Sequence, residues 1–136
     1  MPKIYLTKAI VKFNNKFLFL RKVKDILPEN NGKWECPGGK IDKNEEPEKV
    51  VLREVKEETG LKCEIVKELP LLHDIRKGYD STCHVFLLKS HSDKVRLSLE
   101  HSEYKWLKAE EVKNIPLVLF ADLLLKYFNN SKTYLD

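Results

Sequence analysis

Gly39-Lys40-Ile41-Asp42-Lys43-Asn44-Glu45-Glu46-Pro47-Glu48-Lys49-Val50-Val51-Leu52-Arg53-Glu54-Val55-Lys56-Glu57-Glu58-Thr59-Gly60-Leu61 carries its own punctuation. Pro47 suits the first position of a helix, where its missing N–H goes unneeded, and Gly60 suits the position just past the end. Val51, Leu52 and Val55 give the residues between them an apolar stripe. The spacing predicts a helix from Pro47 to Thr59. Glu54, Glu57 and Glu58 then fall at i, i+3 and i+4 and project from one face, roughly 5–6 Å apart at Cβ. Exposed like charges so placed repel by a few tenths of a kcal/mol per pair, and a divalent cation reverses the sign. Carboxylate oxygens suit Mg²⁺, with Mn²⁺ as the alternative, better than zinc.

Taken alone, three such glutamates would ordinarily be a solvated face balanced by Arg53 and Lys56. The residues just upstream change that weighting. Trp34-Glu35-Cys36 looks like a short strand stopped by Pro37-Gly38-Gly39, and two glycines let backbone approach a ligand closely. A strand, a Gly-rich loop and an acidic helix make a place to hold a metal and a phosphate chain together. Arg21, Lys22, Lys24, Lys33 and Lys40 flank it in sequence.

Further out, Lys3 to Phe13 and Lys16 to Arg21 are rich in β-branched and aromatic residues, and Asn14-Asn15 between them predicts a hairpin. Lys24 to Lys33 is a polar loop. Leu61 to Arg76 and Ser81 to Ser90 are strand-like, joined by a turn at Lys77-Gly78-Tyr79-Asp80. Glu103 to Lys108 suits a last strand and Ala109 to Lys113 a helical turn. Leu117 to Phe128, apolar nearly all round, is expected to be a buried C-terminal helix. The interleaving of strands and helices is an α/β pattern.

The chain of 136 residues suits one domain, 1–136, with no visible repeat or linker. Hydrophobic content of 42% and charged content of 34% fit a globular protein and argue against disorder. A net charge of +4 suits an anionic small molecule and is too weak to signal nucleic acid. Cys36, Cys63 and Cys83 are odd in number and lack CxxC spacing, so neither a disulfide framework nor a zinc site is expected. A reducing, cytoplasmic compartment is the expectation. Met1 to Tyr5 lacks a signal-peptide apolar region, and the apolar run from Ile115 to Leu125, interrupted by Asp122, is too short to span a bilayer.

The stretch from Gly39 to Leu61 resembles a complete Nudix box: Gly, five residues, Glu, seven residues, then Arg-Glu-apolar-any-Glu-Glu-any-Gly-apolar. All nine specified positions match, a coincidence expected on the order of once in a million chains or less. The resemblance implies an α/β/α sandwich, a mixed β-sheet flanked by helices. It implies hydrolysis of a nucleoside diphosphate linked to another group, with Mg²⁺ or Mn²⁺. By position, Glu54, Glu57 and Glu58 would be metal ligands, joined by the Gly39 carbonyl, with Gly38 beside it at the substrate. Arg53 would orient a box carboxylate, Glu45 would support the site, and Gly60 would end the helix left-handed. Many members are dimers, so a homodimer is an assembly the resemblance allows.

Family members often carry a further acidic residue in a loop before an aromatic strand. In Leu99-Glu100-His101-Ser102-Glu103-Tyr104-Lys105-Trp106-Leu107, Glu100 is the first choice for a proton acceptor or ligand and Glu103 the second. His101 could titrate near neutral pH, but a lone histidine is more often structural. Arg21 and Lys22, ending a strand, are phosphate-contact candidates. Trp34 and Trp106 read as core rather than base-stacking residues. Tyr79 resembles a substrate-selecting tyrosine of dinucleoside polyphosphate hydrolases, and a plain hairpin explains it equally well. Pro70 stands too close to the box to match the ADP-ribose subfamily.

The resemblance thus favours a MutT-like nucleoside triphosphate pyrophosphohydrolase. Dinucleoside polyphosphate, ADP-ribose or nucleotide-sugar hydrolysis comes next. A non-catalytic Nudix-fold binding module is disfavoured by the intact carboxylates. RNA 5′-end hydrolysis is allowed but unsupported by the mild charge, and isopentenyl diphosphate isomerisation lacks an assignable Cys–Glu pair.

Overall fold

A computed structural model describes residues 1–118 and 120–136. Strands β1 (Lys3–Phe13) and β2 (Lys16–Lys22) form the expected hairpin. Asn14 and Asn15 turn it with φ of 48° and 62°, the left-handed pair that a two-residue turn between twisted strands requires. Next come β3 (Trp34–Glu35), β4 (Gly38–Lys40), helix α1 (Pro47–Thr59), β5 (Cys63–Glu68), β6 (Leu72–Arg76), β7 (Tyr79–Ser90) and β8 (His101–Leu107). Among the described residues the strands form one eight-stranded mixed sheet. β1 runs parallel to β7 along its length. The end of β1 pairs with β2, and its start with β4. β2 also carries β3 and β8, while β7 carries β5 and β6 on its far side.

The period-2 alternation of the central strands fills two cores, one on each face. Ala9, Val11, Leu18, Leu20, Phe86 and Leu88 pack against Val51 and Val55 of α1. Ile10, Phe17, Phe19, Val85 and Leu87 face the C-terminal segment through Leu124, Tyr127, Phe128 and Leu135. This is the sandwich anticipated above, a mixed sheet between helices. Helix α1 has the expected bounds, and the Gly60 N–H closes it on the Lys56 carbonyl at 2.9 Å with φ of 73°.

Three elements differ from expectation. Pro37-Gly38-Gly39 is not merely a loop, because Gly38–Lys40 resumes as β4 beside β1. The run from Leu61 to Arg76 breaks between β5 and β6, where Leu69 N–H bonds to the Val85 carbonyl. The long C-terminal helix is absent. Trp34 N–H donates to the Pro116 carbonyl, and Val118 N–H donates to the Trp34 carbonyl, so 116–118 is spent extending β3. Phe120 then has φ of 87°, which no helix tolerates. A 3-10 turn (Ala121–Leu124) leads into α2 (Leu125–Asn129) and α3 (Ser131–Tyr134). Leu119, within the expected helix, lies outside the described residues.

Among the described residues no helix is long and apolar enough to cross a membrane. The three cysteines are free. Burial pushes the Cys36 and Cys83 thiols up to about 12 and that of Cys63 up to about 11. Alkylation of the native protein near pH 8 should therefore be slow at all three, because the thiolate is the nucleophile. Mass spectrometry of iodoacetamide-treated protein, with and without urea, checks this. Fast native labelling of Cys36 would contradict its placement in the core.

Candidate active site

The site lies where β4, the end of α1 and the segment before β8 converge. β4 reaches it because its glycines permit the approach. A Cβ on Gly38 would lie 2.1 Å from the Thr7 carbonyl oxygen, and one on Gly39 would lie 2.6 Å from Cδ of Glu54. The two glycines therefore allow sheet and helix to close on one another. The Gly38 N–H then donates to Oε1 of Glu58 at 2.9 Å.

The segment before β8 is laced to the helix end. Arg96 N–H donates to the Thr59 carbonyl and Ser98 N–H to the Glu58 carbonyl. That pairing sets Glu100 and His101 against Glu58. Among the described residues, Glu58, Glu100 and His101 each offer a ligand atom within 4.8 Å of the others. Glu100 is exposed, whereas Glu58 and His101 are buried. Glu103, the second choice, points elsewhere: it pairs with Arg21 at 2.8 Å on the surface.

Arg53 lies among the box carboxylates. Its Nη1 donates to Oε2 of Glu45 at 2.6 Å. Glu54 and Glu57 stand 3.8 and 3.9 Å from the same guanidinium. The hydrogen bond from Arg53 holds the Glu45 carboxyl below its ordinary range. Burial and the neighbouring charge of Glu57 push Glu54 up, against the pull of Arg53. Glu54 and Glu57 lie outside the tight group of three, on the Arg53 side of the helix.

Beneath the carboxylates runs a polar layer that the sequence did not announce. Lys8 Nζ donates to Glu35 Oε1 at 3.0 Å and to the Cys36 carbonyl at 3.2 Å. Glu35 Oε2 lies 2.8 Å from His101 Nε2. Burial alone would push Glu35 up, but Lys8, the His101 contact and Lys22 together hold it well below the carboxylate range. Burial alone would lower Lys8, and Glu35 and Glu58 outweigh that and raise it. A readable signal was present. Alternation puts Lys8 on the same side of β1 as Leu6 and Ile10, where a cation needs a partner.

The remaining candidates are less free than the sequence suggests. Arg21 donates through Nε to the Gly32 carbonyl at 2.9 Å besides pairing with Glu103. Lys22 sits 3.3 Å from Asp25 and 3.6 Å from Glu35. It also lines, with Lys24, Ile26, Leu99 and Glu100, a surface cavity of about 530 Å³. Trp34 is core, with Lys105 Nζ 4.9 Å from its ring centre. Trp106 donates its indole N–H to the Asp93 carbonyl. Tyr79 opens β7 at the hairpin, paired with Arg76. The Pro70 carbonyl accepts from the Tyr127 hydroxyl.

The donor set fits a divalent cation. The strongest sign is His101 Nδ1, a buried nitrogen without a hydrogen-bond partner among the described residues, 4.0 Å from Glu58 Oε2. Glu58 gives a second sign. Burial pushes its carboxyl up to about 8, against Lys8 and the Gly38 N–H, with Glu35 and Glu100 adding repulsion. Without metal, the folded state keeps a proton that the unfolded chain has lost. Stability in EDTA should therefore fall as pH rises from about 5 to about 8, by an amount on the order of a few kcal/mol. Excess Mg²⁺ should flatten that slope, because a cation replaces the proton. Urea unfolding across this range checks the prediction, and a rising profile in EDTA would contradict the burial of Glu58.

The NUDIX domain model matches residues 6–128. A MutT-like protein of Streptomyces ambofaciens is 31% identical over 125 residues, which is 92% of this chain and 76% of that protein. An 8-oxo-dGTP diphosphatase of Proteus vulgaris is 39% identical over 61 residues, 43% of this chain and 52% of that protein. The crystal structure of a MutT protein from Methanosarcina mazei Go1 superposes with a TM-score of 0.81 at 28% identity, over 96% of both chains. With the fold, the carboxylate cluster and these matches in agreement, the chain belongs to the Nudix family and is a metal-binding hydrolase of nucleotide-like pyrophosphates.

Proposed function

We propose that the substrate is a nucleoside triphosphate, cleaved by water to a nucleoside monophosphate and pyrophosphate. The observation that carries this reading is the convergence of Glu58 and Glu100 from separate segments to within 4.8 Å of one another, beside Glu54 and Glu57 of the same helix. The MutT-like and 8-oxo-dGTP diphosphatase names of the relatives supply the substrate class. Glu54, Glu57, Glu58, Glu100 and the Gly39 carbonyl would hold Mg²⁺. The bound cation would offset polyphosphate charge and make water more acidic.

The chain's own residues do the rest. Glu54, half-buried beside the Gly39 backbone, accepts the proton of the attacking water. Arg53 keeps the carboxylates aligned through Glu45, its shortest partner. Lys22 and Lys24, in the cavity wall beside Glu100, face the incoming phosphates. No covalent enzyme intermediate is needed.

A steady-state comparison of canonical and oxidised nucleoside triphosphates, ADP-ribose, nucleotide sugars, dinucleoside polyphosphates and capped RNA tests the substrate class. A kcat/KM for one triphosphate at least tenfold above the rest is expected. A preference for ADP-ribose or a dinucleoside polyphosphate would overturn it.

A further inference from the structure

His101 is held in a manner that packing alone does not require. Its Nε2 lies 2.8 Å from Glu35 Oε2. Glu35 is in turn gripped by Lys8 at 3.0 Å and approached by Lys22 at 3.6 Å. Two cations keep that carboxylate ionised, and an ionised carboxylate can only accept. Nε2 is therefore the nitrogen that donates to Glu35, and Nδ1 is the nitrogen left to face a ligand. The side chain is 1% exposed, and Nδ1 has no hydrogen-bond partner among the described residues. It faces Glu58 Oε2 at 4.0 Å, with Glu100 completing the group. A buried nitrogen set among carboxylate oxygens and lacking a partner within hydrogen-bond distance marks a position that a cation would fill. A carboxylate behind an imidazole is the arrangement that fixes the tautomer and ring orientation of histidine ligands in metal sites.

We propose that His101 Nδ1 is a nitrogen ligand of the bound cation, oriented by Glu35, and that the site consequently favours first-row transition cations such as Mn²⁺ and Co²⁺ over Mg²⁺. The proposal rests on the reading that a divalent cation occupies the box carboxylates. Imidazole is a softer donor than carboxylate or water, so replacing an oxygen by it penalises Mg²⁺ most. Lys8, Glu35 and His101 act as one unit, with Glu35 as a positioning residue.

The test uses Mn²⁺ alone as the probe on the full chain. Electron spin-echo modulation should show a directly bound nitrogen, and its pattern should change when the protein is grown with ¹⁵N-histidine. The chain has four histidines. His73, His84 and His91 pair on the surface with Asp80, Glu68 and Glu64. A triple variant with glutamine at those three should keep the signal, and His101→Gln should lose it. The triple variant leaves the polar layer intact, so the assignment survives even if His101→Gln fails to fold. Glu35→Gln should weaken Mn²⁺ binding by roughly 10–100-fold, with a smaller loss for Mg²⁺. Bound Mn²⁺ without nitrogen coupling, or coupling lost in the triple variant, overturns the proposal and leaves the cation reading standing. No Mn²⁺ binding to the wild-type chain overturns both.

Discussion

Glu57→Gln should lower turnover about a hundred-fold or more while leaving the unfolding transition where it was. The two halves of that result have separate causes. Glu57 is exposed, and it forms an ion pair with Arg53 at 3.9 Å. Surface pairs of that kind contribute at most about 1 kcal/mol, and often nothing. Its charge matters for chemistry instead. A cation held at the helix supplies several kcal/mol of transition-state stabilisation, and each 1.4 kcal/mol or so is tenfold in rate. Glutamine keeps the shape and removes the charge. Initial rates at saturating Mg²⁺, with a urea melt of the same preparation, measure both halves. Near-normal turnover would remove Glu57 from the metal-binding set. Lost stability would mean that Glu57 supports the fold.

Lys8→Met should act on stability first. Lys8 balances Glu35, a nearly fully buried carboxylate. Removing one partner of a buried pair leaves an uncompensated charge, at a cost of about 3–5 kcal/mol. For a chain of this size that lowers Tm on the order of 10 °C. Glu35→Gln in the Lys8→Met background should restore most of the loss, since it removes the stranded charge. A double-mutant cycle by urea unfolding gives the coupling. Equal stability of Lys8→Met and wild type would mean that Lys22, 3.6 Å from Glu35, suffices alone. The variants should also disturb catalysis, because Glu35 holds His101 against Glu58.

What the sequence made legible was local. Pro47 and Gly60 bracket α1 because their backbone constraints act within one turn. Asn14-Asn15 marks its hairpin because both residues tolerate positive φ. Glu54, Glu57 and Glu58 share a face by helix geometry alone. What stayed hidden depends on partners distant in sequence. The Glu35 carboxylate meets Lys8 27 positions away and His101 66 positions away. Only the sheet order, with β3 and β8 both pairing with β2, brings these residues together. His101 looked like a lone histidine because its two neighbours come from β3 and α1. The C-terminal segment misled for a similar reason. Residues 116–118 are apolar enough for a helix, but the open edge of β3 claims their backbone hydrogen bonds. The glycines were read as a cradle for ligand, and their immediate work is to admit the Thr7 carbonyl and the Glu54 side chain.

The central claim is cation-dependent attack of water on a nucleotide pyrophosphate bond at the α1 carboxylates. Its most direct measurement is ³¹P NMR of a nucleoside triphosphate reaction in H₂¹⁸O, run with the EDTA-treated protein and then with Mg²⁺ or Mn²⁺ restored. The account predicts no turnover in EDTA and recovery on metal addition. The products should be monophosphate and pyrophosphate, with one ¹⁸O in one of the two. Turnover that persists without a divalent cation, or orthophosphate as the first product, would contradict it.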